Sequence, residues 1–441
     1  MIENEKNYFL DLLKKLVAYE SVSTDKNRHK HIVATADFVK KKLEKCGFLV
    51  DLYSHDNCSP LLVAKKIISP KAKTIGVYAH YDVQPEDPIS QWRSPPFDIT
   101  EKNGKIFGRG VADDKGHLAQ AITAAKYLIA ENKLTNNLVF IFEGEEEVES
   151  KNFAYLIERH RREIGKIDVF YVLDMGMRDK NIPQLFYGLR GAVAMELTVK
   201  IGESDLHSGV YGNQVINPAQ VVSELMAKIK DSKSGKITIP GFYEKVKKIS
   251  DEEVRLLKKI PYDDKKEKQD AQVFSFVGDR LDSKIKPSFD INGIYSGYVK
   301  EGFKTIIPAK ATVKFSFRLV ENQTAEDIST KVKKFIVDNL PKGIKYEIKE
   351  FGGADPFITN FDDNFNQKTA EILAETFGHE TYFNRSGGSV PAAEILKRAF
   401  KNPSVLIGFT LPDENIHAPQ ENIDAEMFFK GITALKKIFC Q

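Results

Sequence analysis

A cluster of carboxylates is the first chemically unusual feature of this sequence. Five glutamates lie within residues 143–149, directly after the apolar run 138–141. Adjacent like charges at the end of a buried strand cost free energy unless a cation offsets them or their pKa values rise. We therefore interpret the cluster as half of a metal site. A solvated acidic turn or a helix start is the alternative that the cluster alone leaves open.

Further candidate ligands follow other apolar runs. His80 and Asp82 come after the run 75–78, and because they are two residues apart they point to the same side of an extended chain. Asp82 can then hold the second ring nitrogen of a metal-binding His80, although an ordinary hydrogen-bonded histidine is the competing interpretation. Asp174 ends the run 169–173, where a buried charge needs a partner.

Two loops complete the set of candidate ligands. Residues 108–116 are rich in glycine, but Lys115 is followed by glycine and not by serine or threonine, which excludes a phosphate-binding loop. A turn that presents Asp113 to a cation fits this stretch better, and His417 lies in the turn-rich stretch 413–419. Such a mixture of imidazoles and carboxylates suits a pair of zinc-like ions bridged by a carboxylate and a water.

The elements around these residues predict how they meet. Helices are indicated by helical spacing of apolar residues, and strands by short β-type runs, over the following ranges: helices 9–17, 32–43 and 118–130; strands 48–52, 61–66, 74–78, 138–142 and 169–173. This alternation predicts an α/β domain with a largely parallel sheet and helices on both faces. In such sheets chemistry collects beyond the carboxyl ends of the strands, where His80, Glu146 and Asp174 lie.

The pattern changes near residue 190 and changes back near residue 352. Between these points we predict strands over 193–200 and 310–319, helices over 217–229 and 324–340, and a capping box at Ser250 and Glu253. The α/β pattern then resumes with helices over 364–377 and 392–400, a strand over 404–409 and a helix from 425. We predict a domain of residues 1–189 and 353–441 into which an α+β domain of residues 190–352 is inserted.

Composition and charge narrow the function classes. A chain of 441 residues favours two domains, and 65 basic against 62 acidic residues give no reason to expect nucleic acid or an anionic membrane as a partner. Three cysteines without paired spacing predict free thiols. The acidic N-terminus lacks the basic region of a secretory signal, and no apolar stretch approaches the ~20 residues that span a bilayer. We expect a cytoplasmic protein.

Six blocks of the sequence, in order, resemble the di-metal dipeptidases related to carnosinase. They are His80-x-Asp82, residues 108–116, residues 143–147, Asp174, residues 205–209 and His417. The wider family includes succinyl-diaminopimelate desuccinylase, acetylornithine deacetylase and glutamate carboxypeptidase. The resemblance extends from about Leu10 to the C-terminus. It implies a di-zinc α/β domain with an inserted lid that also forms a homodimer.

The resemblance also implies a ligand set. His80 and Asp174 would bind one metal, Glu147 and His417 the other, and Asp113 would bridge the two. Relatives have a cis peptide bond after this bridging aspartate. Two divalent ions per subunit are expected, with zinc preferred and manganese or cobalt left open.

Three further residues receive catalytic roles from the resemblance. Asp82 would orient a ligand, Glu146 would be the general base that activates a metal-bridged water, and His207 would stabilise the oxyanion in the partner subunit's site. Thr305, Arg318 and Ser389 correspond to substrate contacts, and an arginine fork suits a terminal carboxylate.

The implied reaction is hydrolysis of the peptide bond of dipeptides or short peptides. Relatives with aspartate at the position of Asp174 are aminopeptidases and dipeptidases, which favours a substrate with a free amino terminus. Deacylation of N-acyl amino acids is the alternative, and a non-catalytic binding protein on the same fold is a further one. The sequence departs from the family at Glu149 and Asn213, where relatives have glycine.

Overall fold

The computed structural model describes residues 3–56 and 58–441, and the strands in these ranges form four sheets. The strands, in chain order, are β1 Leu49–Tyr53, β2 Leu61–Lys66, β3 Thr74–His80, β4 Thr100–Lys102, β5 Lys105–Phe107, β6 Asn137–Glu143, β7 Val169–Val172, β8 Gln184–Leu189, β9 Gly191–Lys200, β10 Leu206–His207, β11 Ser288–Ser296, β12 Ile306–Ile307, β13 Lys310–Leu319, β14 Lys345–Ala354, β15 Phe357–Ile358, β16 Tyr382–Ser386, β17 Ser404–Leu406 and β18 Asn422–Asp424.

The helices agree with most of the predicted ranges. They are α1 Glu3–Val17, α2 His29–Lys45, α3 Lys115–Ala130, α4 Phe153–Ile164, α5 Ser208–Tyr211, α6 Pro218–Ile229, α7 Asp251–Lys258, α8 Asp264–Asp270, α9 Asp282–Ile285, α10 Ala325–Asn339, α11 Asn364–Phe377, α12 Pro391–Phe400 and α13 Ala425–Ile438. Asn217 caps α6 by accepting from the N–H of Ala219, and the capping box of Ser250 and Glu253 begins α7, both as predicted.

The nine-stranded sheet is mixed, with its parallel strands at the centre. Its order is β1-β2-β6-β3-β7-β17-β8-β15, and β16 pairs with β8. The strands β6, β3, β7 and β17 are mutually parallel, whereas β1, β2 and β15 are antiparallel to their neighbours. The predicted α/β class is confirmed, although antiparallel flanks make the sheet less parallel than expected.

Helices cover both faces of this sheet, as predicted. On one face, α1, α2, α3, α11 and α13 bury their apolar sides in one core with β3 and β6. On the other face, α4 and α12 form a second core against the same strands. Helix α3 is buried along most of its length, so the residues just before it are held in a fixed place.

A four-stranded antiparallel sheet lies within residues 190–352. Its order is β11-β13-β9-β14, and α6 and α10 pack on one face around a separate core. The predicted alternation over β13 is confirmed, because Val313, Phe315, Phe317 and Leu319 are buried. The division into residues 190–352 and the rest stays a prediction.

Two predictions from composition concern the whole chain. All three cysteines, Cys46, Cys58 and Cys440, are free thiols. None of the helices within residues 3–56 and 58–441 has both the length and the apolar character needed to cross a bilayer.

Candidate active site

Three parallel strands end beside one another and deliver side chains to one edge of the sheet. His80 is the last residue of β3, and its register partner Glu143 is the last residue of β6. Glu146 begins a 3-10 turn just after β6, and Asp174 follows β7 by two residues. Because β6, β3 and β7 are neighbouring parallel strands, their carboxyl ends lie side by side, and the residues that follow them lie close together.

Asp113 lies between two histidines at this edge. Its Oδ1 is 2.9 Å from Nε2 of His80, and its Oδ2 is 2.9 Å from Nε2 of His417. The same nitrogen of His417 is 3.3 Å from Oε2 of Glu147. Ligand atoms of His80, Asp113 and Asp174 lie within 4.8 Å of one another, and so do those of Asp113, Glu147 and His417. The structure thus brings all five predicted ligands together, with Asp113 common to both groups.

The residues at the site fit a pair of divalent cations. Burial, and then the carboxylates of Asp174 and Asp113, raise the pKa of Glu146 well above its ordinary value. Burial and the neighbouring Asp113 do the same to the pKa of Asp174. Oε1 of Glu147 is buried and has no hydrogen-bond partner among the described residues. The predicted ligands are two imidazoles and three carboxylates, and one of the buried carboxylate oxygens receives no hydrogen bond from the described residues. Zinc, manganese or cobalt accepts such a set of ligands.

Asp82 holds two parts of the site at once. Its Oδ1 accepts from the backbone N–H of Glu146 at 3.2 Å, and its Oδ2 accepts from that of Glu147 at 3.1 Å. Nδ1 of His80 is 3.1 Å from the backbone oxygen of Asp82 and 3.4 Å from its Oδ1. Asp82 is fully buried, so it fixes both the His80 ring and the turn that carries the two glutamates.

A buried ion pair joins the loop of Asp113 to the loop of His417. Oε2 of Glu421 accepts from Nη1 of Arg109 and from the N–H of Gly110, each at 2.8 Å. Its Oε1 accepts from the N–H of Ala112 at 2.8 Å and from that of Asp113 at 3.2 Å. Sequence reasoning missed Glu421, and its only signal was an arginine in the glycine-rich stretch without an assigned acidic partner.

Asp114 and His117 hold the backbone of His80 in place through a chain of hydrogen bonds. Nε2 of His117 accepts from the N–H of Phe409 at 2.9 Å, so Nδ1 carries the proton and donates to Asp114 at 2.6 Å. Asp114 also accepts from the N–H of His80 at 3.0 Å. Burial lowers the pKa of His117 to about 3, which keeps its ring neutral. The peptide bond between Asp113 and Asp114 is cis, as the resemblance implies.

Two other acids of the 143–149 cluster, Glu143 and Glu145, have structural partners. Glu143 accepts from the hydroxyls of Tyr78 at 2.6 Å and Ser150 at 2.9 Å, and burial raises its pKa to about 8. Glu145 accepts from the N–H of Ser59 at 2.8 Å. These contacts hold the strand end and the turn together.

One further support was not recognised in the sequence. Nε2 of Gln84, which lies four residues after His80 in the sequence, donates to Oε2 of Glu147 at 2.7 Å. This contact fixes the orientation of a candidate ligand, and nothing in the residue type alone signals it.

The two departures from the family keep a glycine-like backbone. Glu149 has φ of 71° and Asn213 has φ of 64°, both in the left-handed region that favours glycine. Asparagine tolerates this region better than most residues, whereas glutamate adopts it at a cost in free energy.

The site opens into a cleft of about 1040 Å³. Asp113, Glu146, Asp174 and His417 line it, together with Ser389 from the turn before α12. Nη1 of Arg318 lies 3.4 Å from Oγ of Ser389. The structure therefore places two of the three predicted substrate contacts, Arg318 and Ser389, next to each other, and Ser389 lines the cleft.

His207 and Thr305 lie elsewhere, on the surface of the chain. His207 pairs with Ile306 between β10 and β12, and the backbone oxygen of Thr305 accepts from the N–H of Ser208 at 2.9 Å. Both side chains are exposed, and neither is among the described residues that line the cleft. Nδ1 of His207 accepts from the N–H of Gly209 at 3.0 Å, which places the proton of a neutral ring on Nε2.

Comparisons with known proteins agree with this geometry. Residues 76–441 match the family described as Peptidase family M20/M25/M40. The Cys-Gly metallodipeptidase dug1 of Schizosaccharomyces pombe is 29% identical over 462 residues, covering 100% of this chain and 96% of that protein. The human Beta-Ala-His dipeptidase is 29% identical over 392 residues, covering 87% of this chain and 77% of that protein. The crystal structure of a metallo-carboxypeptidase from Sulfolobus solfataricus superposes with a TM-score of 0.91 at 29% identity, covering 100% of this chain and 99% of that chain.

The variant Glu421→Gln tests the role of the buried ion pair. It leaves the Arg109 guanidinium buried without a counter-charge, so we expect the free energy of unfolding to fall by about 3–5 kcal/mol in denaturant titrations. Asp413→Asn is the matched control, because Asp413 pairs with Lys105 at 2.8 Å on the surface and should contribute about 0–1 kcal/mol. Equal effects of the two variants would contradict this role.

Proposed function

The chain belongs to Peptidase family M20/M25/M40, and we propose that it is a metallopeptidase that hydrolyses dipeptides or short peptides with a free amino terminus. The observation that carries the proposal is the position of Asp113 between His80 and His417. Beside it, Glu146 lines the same cleft. The names of two relatives, a Cys-Gly metallodipeptidase and a Beta-Ala-His dipeptidase, support this substrate class.

We propose two divalent ions per chain, with zinc preferred and manganese or cobalt as alternatives. His80 and Asp174 would hold one ion, Glu147 and His417 the other, and Asp113 both. When bound, the ions polarise the scissile carbonyl and lower the pKa of the attacking water.

Glu146 is the proton carrier in this proposal. It takes the proton of the attacking water and delivers it to the leaving amine, so that each peptide bond broken returns the carboxylate to its starting state. It lines the same cleft as Asp113, Asp174 and His417. Asp82 keeps the carboxylate in place through the backbone N–H of Glu146.

The substrate's carboxyl end is assigned to Arg318, Ser389 and Thr305. Arg318 contacts Ser389, which lines the cleft, and an arginine fork can donate two hydrogen bonds to a carboxylate. Thr305 and His207 lie away from this chain's own cleft, which supports their action in the site of a second copy. There, Nε2–H of His207 would donate to the developing oxyanion, where fixed donors contribute most to the rate.

The homodimer and the cytoplasmic location are part of the same proposal. An exposed His207, whose ring is held by Gly209, suits an intersubunit contact. Three free cysteines suit a reducing compartment.

Removal and return of metal tests the activity itself. We expect chelated protein to lose hydrolysis of an unblocked dipeptide such as Ala-Ala, and zinc, manganese or cobalt at about two ions per chain to restore it. N-acetyl-alanine and N-acetyl-Ala-Ala serve as matched substrates. Faster hydrolysis of either blocked compound would favour deacylation or carboxypeptidase action. Absence of activity on every substrate at full metal content would contradict the proposal.

Glu146→Gln separates proton transfer from metal binding. The variant keeps every proposed ligand, so we expect unchanged metal content and a kcat lower by roughly 10²–10⁴-fold. Glu149→Gln, in the same turn and exposed, should keep near-normal kcat. Near-normal turnover by Glu146→Gln would refute the assignment of Glu146.

Subunit complementation tests His207. Homodimers of the His207→Ala variant and homodimers of the Glu146→Gln variant should each be nearly inactive. Unfolding and refolding the two together would form mixed dimers, in which one site has an intact Glu146 and receives the partner's intact His207. We expect recovery of up to about a quarter of normal activity, since about half of the dimers are mixed and each has one complete site. No recovery in demonstrably mixed dimers would exclude action between subunits.

A further inference from the structure

One wall of the cleft carries several positive charges that the proposed mechanism does not use. Arg178 follows β7, whereas Arg280 and Lys284 lie in the segment between α8 and β11, and all three line the cleft. The ring of Tyr262 contacts both guanidinium groups, whose centres are 5.4 Å and 4.7 Å from its centroid. This wall lies in the same cleft as Asp174 and Ser389.

Both arginines of this wall are already engaged by the protein. Arg178 forms an ion pair with Glu267. Arg280 donates through Nη1 to the backbone oxygen of Ile260 and through Nη2 to that of Lys258, each at 2.9 Å. These contacts fix the two side chains as parts of the wall and occupy some of their N–H donors.

Lys284 is held differently. Its Nζ donates to Oδ1 of Asn384 at 2.5 Å, and among the described residues no carboxylate lies within 4.0 Å of it. Oδ1 of Asn384 also accepts from the N–H of Arg385 at 2.9 Å, which fixes the amide that positions the ammonium group. Lys268 lines the cleft as well, but its side chain is exposed and solvated.

The surroundings of Lys284 favour an anion from outside the chain. Burial, and then the charges of Arg178 and Arg280, lower its pKa to about 8, so the amine is still mostly protonated at neutral pH. A partly buried cation without a counter-ion loses hydration that a ligand carboxylate would replace with a charge-assisted hydrogen bond. The terminal carboxylate of a dipeptide is already assigned to Arg318 and Ser389, which leaves the side chains of the substrate.

We propose that Lys284, positioned by Asn384, recognises a carboxylate on a substrate side chain, so that the enzyme prefers dipeptides that contain aspartate or glutamate. This inference rests on the proposed dipeptidase function. Lys284 is a specificity residue in it and takes no part in the chemical step.

The test compares kcat/KM for Ala-Ala, Glu-Ala, Ala-Glu, Lys-Ala and Ala-Lys. We expect the wild-type protein to favour glutamate over lysine at one of the two positions. In Lys284→Gln, the ratio of kcat/KM for that glutamate dipeptide to kcat/KM for Ala-Ala should fall about tenfold or more, mainly through KM. Lys284→Glu should reverse the preference toward lysine. Lys286→Gln is the matched control, because Lys286 is exposed and pairs with Asp282 at 2.8 Å.

The outcomes separate this inference from the function on which it rests. Wild-type protein that hydrolyses Ala-Ala without a preference for glutamate would overturn the inference, and so would an equal loss on all dipeptides in Lys284→Gln. The equal loss would indicate that Lys284 binds the terminal carboxylate. Wild-type protein that hydrolyses none of the dipeptides would contradict the dipeptidase function itself. Equal unfolding temperatures of the lysine variants would show that folding does not cause the differences.

Discussion

Mutual repulsion among the carboxylates around Asp113 is the constraint on which the rest of the structure depends. Glu146, Glu147 and Asp174 lie in the same site, where burial makes their charges more costly than in water. Hydrogen bonds from the two histidines stabilise the charge of Asp113 and lower its pKa, although burial opposes this. The remaining charge is what divalent cations would neutralise. A fold that places these carboxylates together must therefore hold each side chain in position, because their repulsion would otherwise move them apart.

The parallel centre of the sheet supplies only part of that fixation. It delivers His80, Asp174 and the turn of Glu146 to one edge, because three neighbouring strands end there. The other two proposed ligands, Asp113 and His417, come from loops that the short antiparallel pairing of β5 with β18 joins at one end. The buried pair of Arg109 and Glu421 adds to this connection, since Glu421 accepts hydrogen bonds from the loop of Asp113 and lies four residues after His417. Such a pair stabilises little in itself, but loss of either partner leaves a buried charge.

The sequence predicts those parts of the molecule that depend on local patterns. The strands β3, β6 and β7 are continuous apolar runs, so their ends, and with them His80 and Asp174, could be located before the structure. The strands β11 and β14 were not predicted, because they are mostly exposed and lack such runs. Glu421, Gln84 and Lys284 were missed for a different reason: their roles depend on partners far away in the sequence, and an acid, an amide or a lysine is common on any surface.

Glu146 and Glu147 show how adjacent identical residues acquire different surroundings, and with them different proposed roles. Both are held by the same carboxylate of Asp82, and a 3-10 turn directs consecutive side chains apart. Oε2 of Glu147 lies beside Gln84 and His417, and its buried Oε1 has no hydrogen-bond partner among the described residues, which suits a ligand. Glu146 has Asp174, Asp113 and His80 among the charged groups around it, and it lines the cleft, where a proton carrier must lie. The surroundings, and not the residue type, thus divide the two tasks.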